Sequence, residues 1–174
     1  MRRILNLMNP HITMPFYAAA GLLFLCLFFL RRRHKDAFSF ALFWTYLFLV
    51  YSGCLFCRKV WKRKRYLKLF TAYKKILAGD VYYMAEAGLN VCMLAPAAFL
   101  QRNTERGLSW KQAALEGLFI SGVLETLQYY LRRGAFQYED ILHNVLGMVI
   151  GCLAARGFEK LIGRLEHEKQ GIVP

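Results

Sequence analysis

Acidic residues are scarce in this chain of 174: 11 Asp and Glu stand against 24 Lys and Arg, giving a net charge of +13. Charge of either sign is missing from long stretches, and neither 16–30 nor 37–57 holds a charged residue. The five cysteines are odd in number and mostly lie in apolar runs, which excludes a disulfide framework. Cys54-x-x-Cys57 has redox or metal spacing, but no second ligand pair accompanies it, so no metal site is expected. HExxH, a phosphate loop, a nucleotide fingerprint and a Ser/His/Asp motif are all absent, and no cofactor is expected. No zinc finger, RNA-binding signature or isolated basic helix supports nucleic acid as the partner of so basic a chain. Anionic lipid headgroups suit it better, since each Lys or Arg beside a membrane contributes about 1 kcal/mol. No small-residue cleavage site follows the first apolar block, which ends in RRRHKD and is therefore expected to stay as a span. There is no internal repeat.

What is present is apolar: 57% hydrophobic residues, 16% aromatic, and a mean hydropathy of +0.27. A membrane span needs about 20 apolar residues to cross about 30 Å of hydrocarbon. Blocks of that kind alternate here with basic runs, which predicts an all-α, multi-pass membrane protein with a bundle of five transmembrane helices. The spans are read as Met14–Leu30, Ala37–Cys57, Val81–Leu100, Trp110–Leu131 and Asp140–Ala155, followed by a charged helical tail. This divides the chain into an additional N-terminal span with its basic loop (1–36), a membrane domain (37–156) and the tail (157–174). Between the second and third spans, Tyr66, Leu69, Phe70, Tyr73, Ile76 and Leu77 recur at helical spacing against Lys68, Thr71 and Lys75. The pattern predicts a basic amphipathic helix over Arg65–Leu77 in the membrane interface, with a soluble lid as the plainer alternative.

Polar residues inside such spans are costly and are functional candidates by default. Glu86/Asn90 and Asp140/Asn144 are i,i+4 pairs and Glu125/Gln128 an i,i+3 pair, so each pair shares a helix face. With alternating span directions, Asn90 and Glu125 both lie roughly 9 Å below one boundary, at about 1.5 Å per residue. Asp140 and Asn144 enter from that same boundary. Gly147 and Gly151 form a small-residue ridge that admits another helix, and Ser121 and Gly122 offer a matching surface on the fourth span. Pro96 is expected to bend the third span and free a carbonyl near Cys92. His143, next to Asn144, is expected to point off the polar face into packing or lipid. The competing account of the whole set is that these groups only hold helices together, by hydrogen bonds worth about 1 kcal/mol each.

Asn90…Pro96, Glu125-x-x-Gln128 and Asp140-x-x-x-Asn144-x-x-Gly147, in this order, resemble the VanZ family of bacterial membrane proteins over roughly residues 58–155. Phe70 and Tyr73, following Arg58, resemble the aromatic pair of that family's loop. Leu94, Ala98 and Leu69 depart from its pattern, as does Gln137, which stands where the family has an acid, with Glu139 nearby as a substitute. The resemblance implies a bacterial cytoplasmic membrane protein with its polar cluster outward and its C-terminus in the cytoplasm. The founding member is associated with resistance to teicoplanin, a lipid-tailed glycopeptide. The short RRRHK loop agrees with that orientation, and nine basic residues in the second connection oppose it.

Two functions stay open at this point. One is binding or modifying a lipid-linked cell-wall precursor or lipoglycopeptide, with Asn90, Gln128, Asn144 and Arg58 binding and Glu125 or Asp140 as general acid/base if the site is catalytic. The other is a non-enzymatic scaffold or accessory subunit. A transporter is disfavoured by the absence of an inverted repeat. The sequence does not set the oligomeric state.

Overall fold

The computed structural model describes residues 35–60, 64–102 and 107–169. The expected span Met14–Leu30 and most of its basic loop lie outside them. Within them the chain is all-α apart from one short pairing. Helix α1 is Lys35–Leu55, β1 is Arg65–Tyr66, α2 is Thr71–Leu77, α3 is Val81–Arg102, α4 is Trp110–Tyr130, β2 is Phe136–Gln137 and α5 is Tyr138–Lys169. The four long helices fall where the apolar runs place them. Helices α3 and α5 are long and apolar enough to cross a membrane, while the apolar part of α1, Phe40–Leu55, is shorter. Lys111, Gln112, Glu116, Glu125 and Gln128 lower the hydropathy of α4.

The fifth apolar run and the charged tail are one unbroken helix rather than two elements. The expected amphipathic helix is shorter than its periodicity suggests. Residues 65–66 are extended and pair in parallel with β2, Arg65 opposite Phe136 and Tyr66 opposite Gln137. Phe70 then adopts a left-handed conformation (φ 66°), so α2 can start only at Thr71. A bulky side chain at positive φ costs about 1–2 kcal/mol, so something must hold the turn in place.

Helix α5 is the centre of the bundle, packed most closely on α3 and then on α4, with α1 flanking both. The glycine ridge explains this order. A β-carbon on Gly147 would lie 2.1 Å from the Val91 carbonyl oxygen, and one on Gly151 would lie 1.9 Å from that of Ala95. The ridge therefore seats α3, not the fourth span. Nothing lies within 4 Å of a β-carbon placed on Gly122, so that expected surface is unused. On α4 the close residue is Gly117, against Met148 and Val145. Leu94, Ala97, Ala98, Ala113 and Met148 are fully enclosed between these helices.

Helix α1 is tied on by two tyrosines. The Tyr46 hydroxyl donates to the Met93 carbonyl at 2.8 Å and the Tyr51 hydroxyl to the Ile120 carbonyl at 2.7 Å. The first bond lies one residue beyond the Cys92 carbonyl, whose helical partner Pro96 cannot supply; α3 nevertheless runs unbroken through Pro96. Tyr51→Phe is expected to cost about 1 kcal/mol, the usual net value of such a bond, and to lower the melting temperature in detergent without changing helicity. Helix α4 begins with a reciprocal cap, Ser109 Oγ accepting from the Gln112 N–H at 3.3 Å and Gln112 Oε1 accepting from the Ser109 N–H at 3.0 Å.

The pattern of exposure is reversed from that of a water-soluble bundle. Leu142, Leu146, Ile150 and Leu153 form an exposed stripe on α5, and Leu115, Leu118 and Phe119 another on α4. Ser121, Glu125, Gln128, His143 and Asn144 are buried. Apolar surface of this extent needs an apolar surrounding.

Candidate functional site

The alternation of the helices brings four ends together: the C-terminal ends of α1 and α4 and the N-terminal ends of α3 and α5. The connections at this end are stitched to each other. The Phe136 N–H donates to the Lys64 carbonyl at 3.1 Å, and the Arg133 guanidinium donates to the Arg58 carbonyl. Below them lie the polar side chains.

Glu125 is buried on α4, and its Oε2 accepts the backbone N–H of Gln137 at 2.9 Å. The side chain of the same Gln137 donates from Nε2 to Asp140 Oδ2 at 3.0 Å. One residue of the turn before α5 thus fixes two carboxylates from two helices. Glu86 and Arg58 lie within electrostatic range of both. Asn90 turns its side chain toward Asp140, yet its amide nitrogen is buried and reaches no partner at hydrogen-bonding geometry. Glu125, Asp140, Asn90 and Arg58 therefore converge, and Glu86 joins them.

Two expected site residues sit apart. Asn144, fully buried, donates from Nδ2 to Ser121 Oγ at 2.8 Å and so joins α5 to α4 one turn deeper. Gln128 lies against Cys54 and the Gly134 turn, where a β-carbon on Gly134 would meet its Oε1 at 2.8 Å. Pro96, Gly147 and Gly151 belong to the packing of α3 on α5. Cys54 and Cys57 are buried free thiols, and among the described residues no group of His, Cys, Asp or Glu is arranged to hold a metal ion.

A second face of α5 was not foreseen. Glu139 does not stand in for the missing acid beside Asp140. Its carboxylate accepts the Ala72 N–H, at 3.2 Å to Oε1 and 2.9 Å to Oε2, and so caps α2 from across the bundle. His143 is buried and points off the polar face into packing, as expected: its ring lies 5.5 Å from that of Tyr73, and its Nε2 is also 3.0 Å from the Tyr73 hydroxyl. Glu139 and His143 are themselves an i,i+4 pair, and that spacing was the available signal. Together they hold α2 and the left-handed Phe70 turn against α5, with the Arg65 guanidinium 4.6 Å from the centre of the Tyr129 ring.

Chemically the cluster offers donors, from Arg58 and Asn90, and carboxyl oxygens as acceptors. Apolar-faced helices enclosing such groups define a helical membrane protein. The chain belongs to the VanZ/LLP1 family, whose model matches residues 37–159. No curated protein and no solved structure matches it.

Proposed function

We propose that this chain is a multi-pass protein of the bacterial cell envelope that binds or modifies a lipid-linked envelope component at the Glu125–Asp140 cluster, contributing to resistance against teicoplanin-type glycopeptides. The observation that carries the reading is the bridging of Glu125 and Asp140 by Gln137. A turn that ties two carboxylates to one residue sets their relative position, which binding or proton transfer requires and mere cohesion does not. The length of α5 fits a bilayer: Asp140 and the Arg102–Glu159 ion pair are about 28 Å apart along the helix, close to the hydrocarbon thickness. Lys64, Lys68, Lys74 and Lys75 are exposed beside Tyr66, Leu67, Leu69 and Phe70, a surface suited to anionic headgroups.

Glu125→Gln tests this. It keeps an acceptor for the Gln137 N–H, so membrane abundance should match the parent while teicoplanin susceptibility rises to that of cells lacking the protein. Unchanged susceptibility at equal abundance would count decisively against a working carboxylate. A scaffold is the second reading, favoured by the wholly buried Asn144–Ser121 bond. It predicts instead that the Glu125 and Asp140 variants lower abundance and melting temperature together.

A further inference from the structure

Away from the polar cluster, a groove of about 770 Å³ lies between α1 and α4. Phe43, Trp44 and Leu47 form one wall and Leu115 and Phe119 the other, with Trp44, Leu115 and Phe119 exposed in it. Its lining is apolar except at one end, where Gln101 and Glu116 meet. Glu116 is half-buried in the second turn of α4, and its Oε2 accepts from Gln101 Nε2 at 2.7 Å. Helical side chains lean toward the start of their helix, so this carboxyl group faces the end of the bundle where α1 and α4 begin.

Glu116 sets a condition on whatever fills the groove. A carboxyl group can accept about four hydrogen bonds, and Gln101 supplies one donor. Among the described residues no cation pairs with Glu116, the ion pair that is formed being Arg102–Glu159. An acid left against acyl chains is costly, and hydrocarbon offers it nothing. A fitting occupant is therefore apolar along its length, small where the Trp44 and Phe119 rings project, and basic at the end nearest Glu116.

The chain carries one segment that meets all three conditions. The apolar run 14–30, which lies outside the described residues, contains Ala18, Ala19, Ala20 and Gly21 in succession, and Arg31, Arg32 and Arg33 follow it. Residues 31–34 alone separate the run from the start of α1 at Lys35. A connection that short returns one helix antiparallel beside the next. Counting away from it on both sides puts Gly21 level with Trp44 and Ala18 level with Leu47, the stretch of α1 that faces Leu115 and Phe119 across the groove. The arginines then enter at the end toward which Glu116 leans, and their long stems can carry a guanidinium about one turn inward.

We propose that the groove between α1 and α4 is the seat of the chain's own run 14–30, with its small residues admitting the Trp44 and Phe119 rings and the arginines of 31–33 meeting Glu116. The four-helix core then gains a fifth helix on the flank of α1 and α4, and that face is closed to lipid.

Disulfide formation measures the seat directly, because it needs β-carbons within about 4.5 Å. In the full chain in nanodiscs, Ala19, Ala20, Gly21 and Leu22 are replaced by Cys one at a time, each together with Leu115→Cys. Four consecutive residues span a helical turn, so one of them faces α4 if the run occupies the groove. The same four are paired with Ile150→Cys, exposed on α5 at similar depth. After mild oxidation, linked peptides are identified by mass spectrometry, which separates them from any bond to a native cysteine. The best pair with Leu115 should form at least tenfold faster than any pair with Ile150. Glu116→Gln keeps the Gln101 bond without the charge and should slow that link about threefold; Glu116→Lys should slow it about tenfold. Melting curves confirm that each variant is folded. Linking in an equal mixture of isotopically light and heavy chains should give no mixed peptides. Mixed peptides would assign the groove to a second copy. No link from any of the four positions in a folded protein would leave the groove to lipid. Either result, equal rates to Ile150, or a link indifferent to Glu116→Lys overturns the proposal.

Discussion

Gly151→Ala should leave almost no folded protein in the membrane fraction. A single methyl there would lie 1.9 Å from the Ala95 carbonyl oxygen and 2.7 Å from its carbon. No rotamer relieves the clash, because both partners are backbone; α3 and α5 must separate along their whole contact. Overpacking a core against side chains costs about 1–3 kcal/mol, and backbone against backbone should exceed that. Gly147→Ala, at 2.1 Å from the Val91 carbonyl oxygen, should behave alike. The controls lie on the same helix. Gly157 and Gly163 have nothing within 4 Å of a built β-carbon, so alanine there should stabilise by roughly 0.8–1.0 kcal/mol through helix propensity alone. Abundance and detergent melting of the four variants would show whether the ridge is a helix contact or a run of tolerated glycines; equal behaviour of all four would refute it.

The ridge also shows what the sequence could and could not convey. GMVIG announces a close approach, because only small residues permit one, but it does not name the approaching helix. Ser121 and Gly122 on the neighbouring span matched by composition; the partner is the stretch from Val91 to Ala95, whose own side chains are unremarkable because their carbonyls make the contact. The long helices were legible for a simpler reason, since unbroken apolar runs leave the backbone no partner but itself. The meeting of Glu125 with Asp140 followed from depth counting along those helices. Gln137 did not, because its role depends on a backbone N–H and a side chain acting together, and a backbone donor has no signature in sequence. The lid was misread at Phe70. Helical periodicity runs through Arg65–Leu77, but residues 65–66 gain ladder bonds to the α4–α5 connection, a pairing 71 residues distant that local pattern cannot reveal. A left-handed turn at Phe70 follows before α2 begins.

That turn needs an anchor, and Glu139 is where its removal should show. The Glu139 carboxylate gives both oxygens to the Ala72 N–H in a largely enclosed setting. Hydrogen bonds to charged groups contribute about 1.5–3 kcal/mol, and Glu139→Ala also leaves the Ala72 donor without a partner. At ~2 kcal/mol, hydrogen exchange of the Ala72 amide and of its neighbours through Leu77 should accelerate about thirtyfold. Exchange in α3 and in α5 beyond Asn144 should stay unchanged, because those amides belong to the glycine-packed core. His143→Phe removes the bond to Tyr73 while keeping a ring of similar size, and its effect on the lid should be smaller, about 1 kcal/mol. The double variant discriminates between two kinds of lid. If Glu139 and His143 clamp one rigid segment, losing either already frees it, and the second substitution adds little; two independent tethers would give additive costs. Non-additivity, with α3 still protected, would establish the segment from Arg65 to Leu77 as a unit that opens without unfolding the helix bundle.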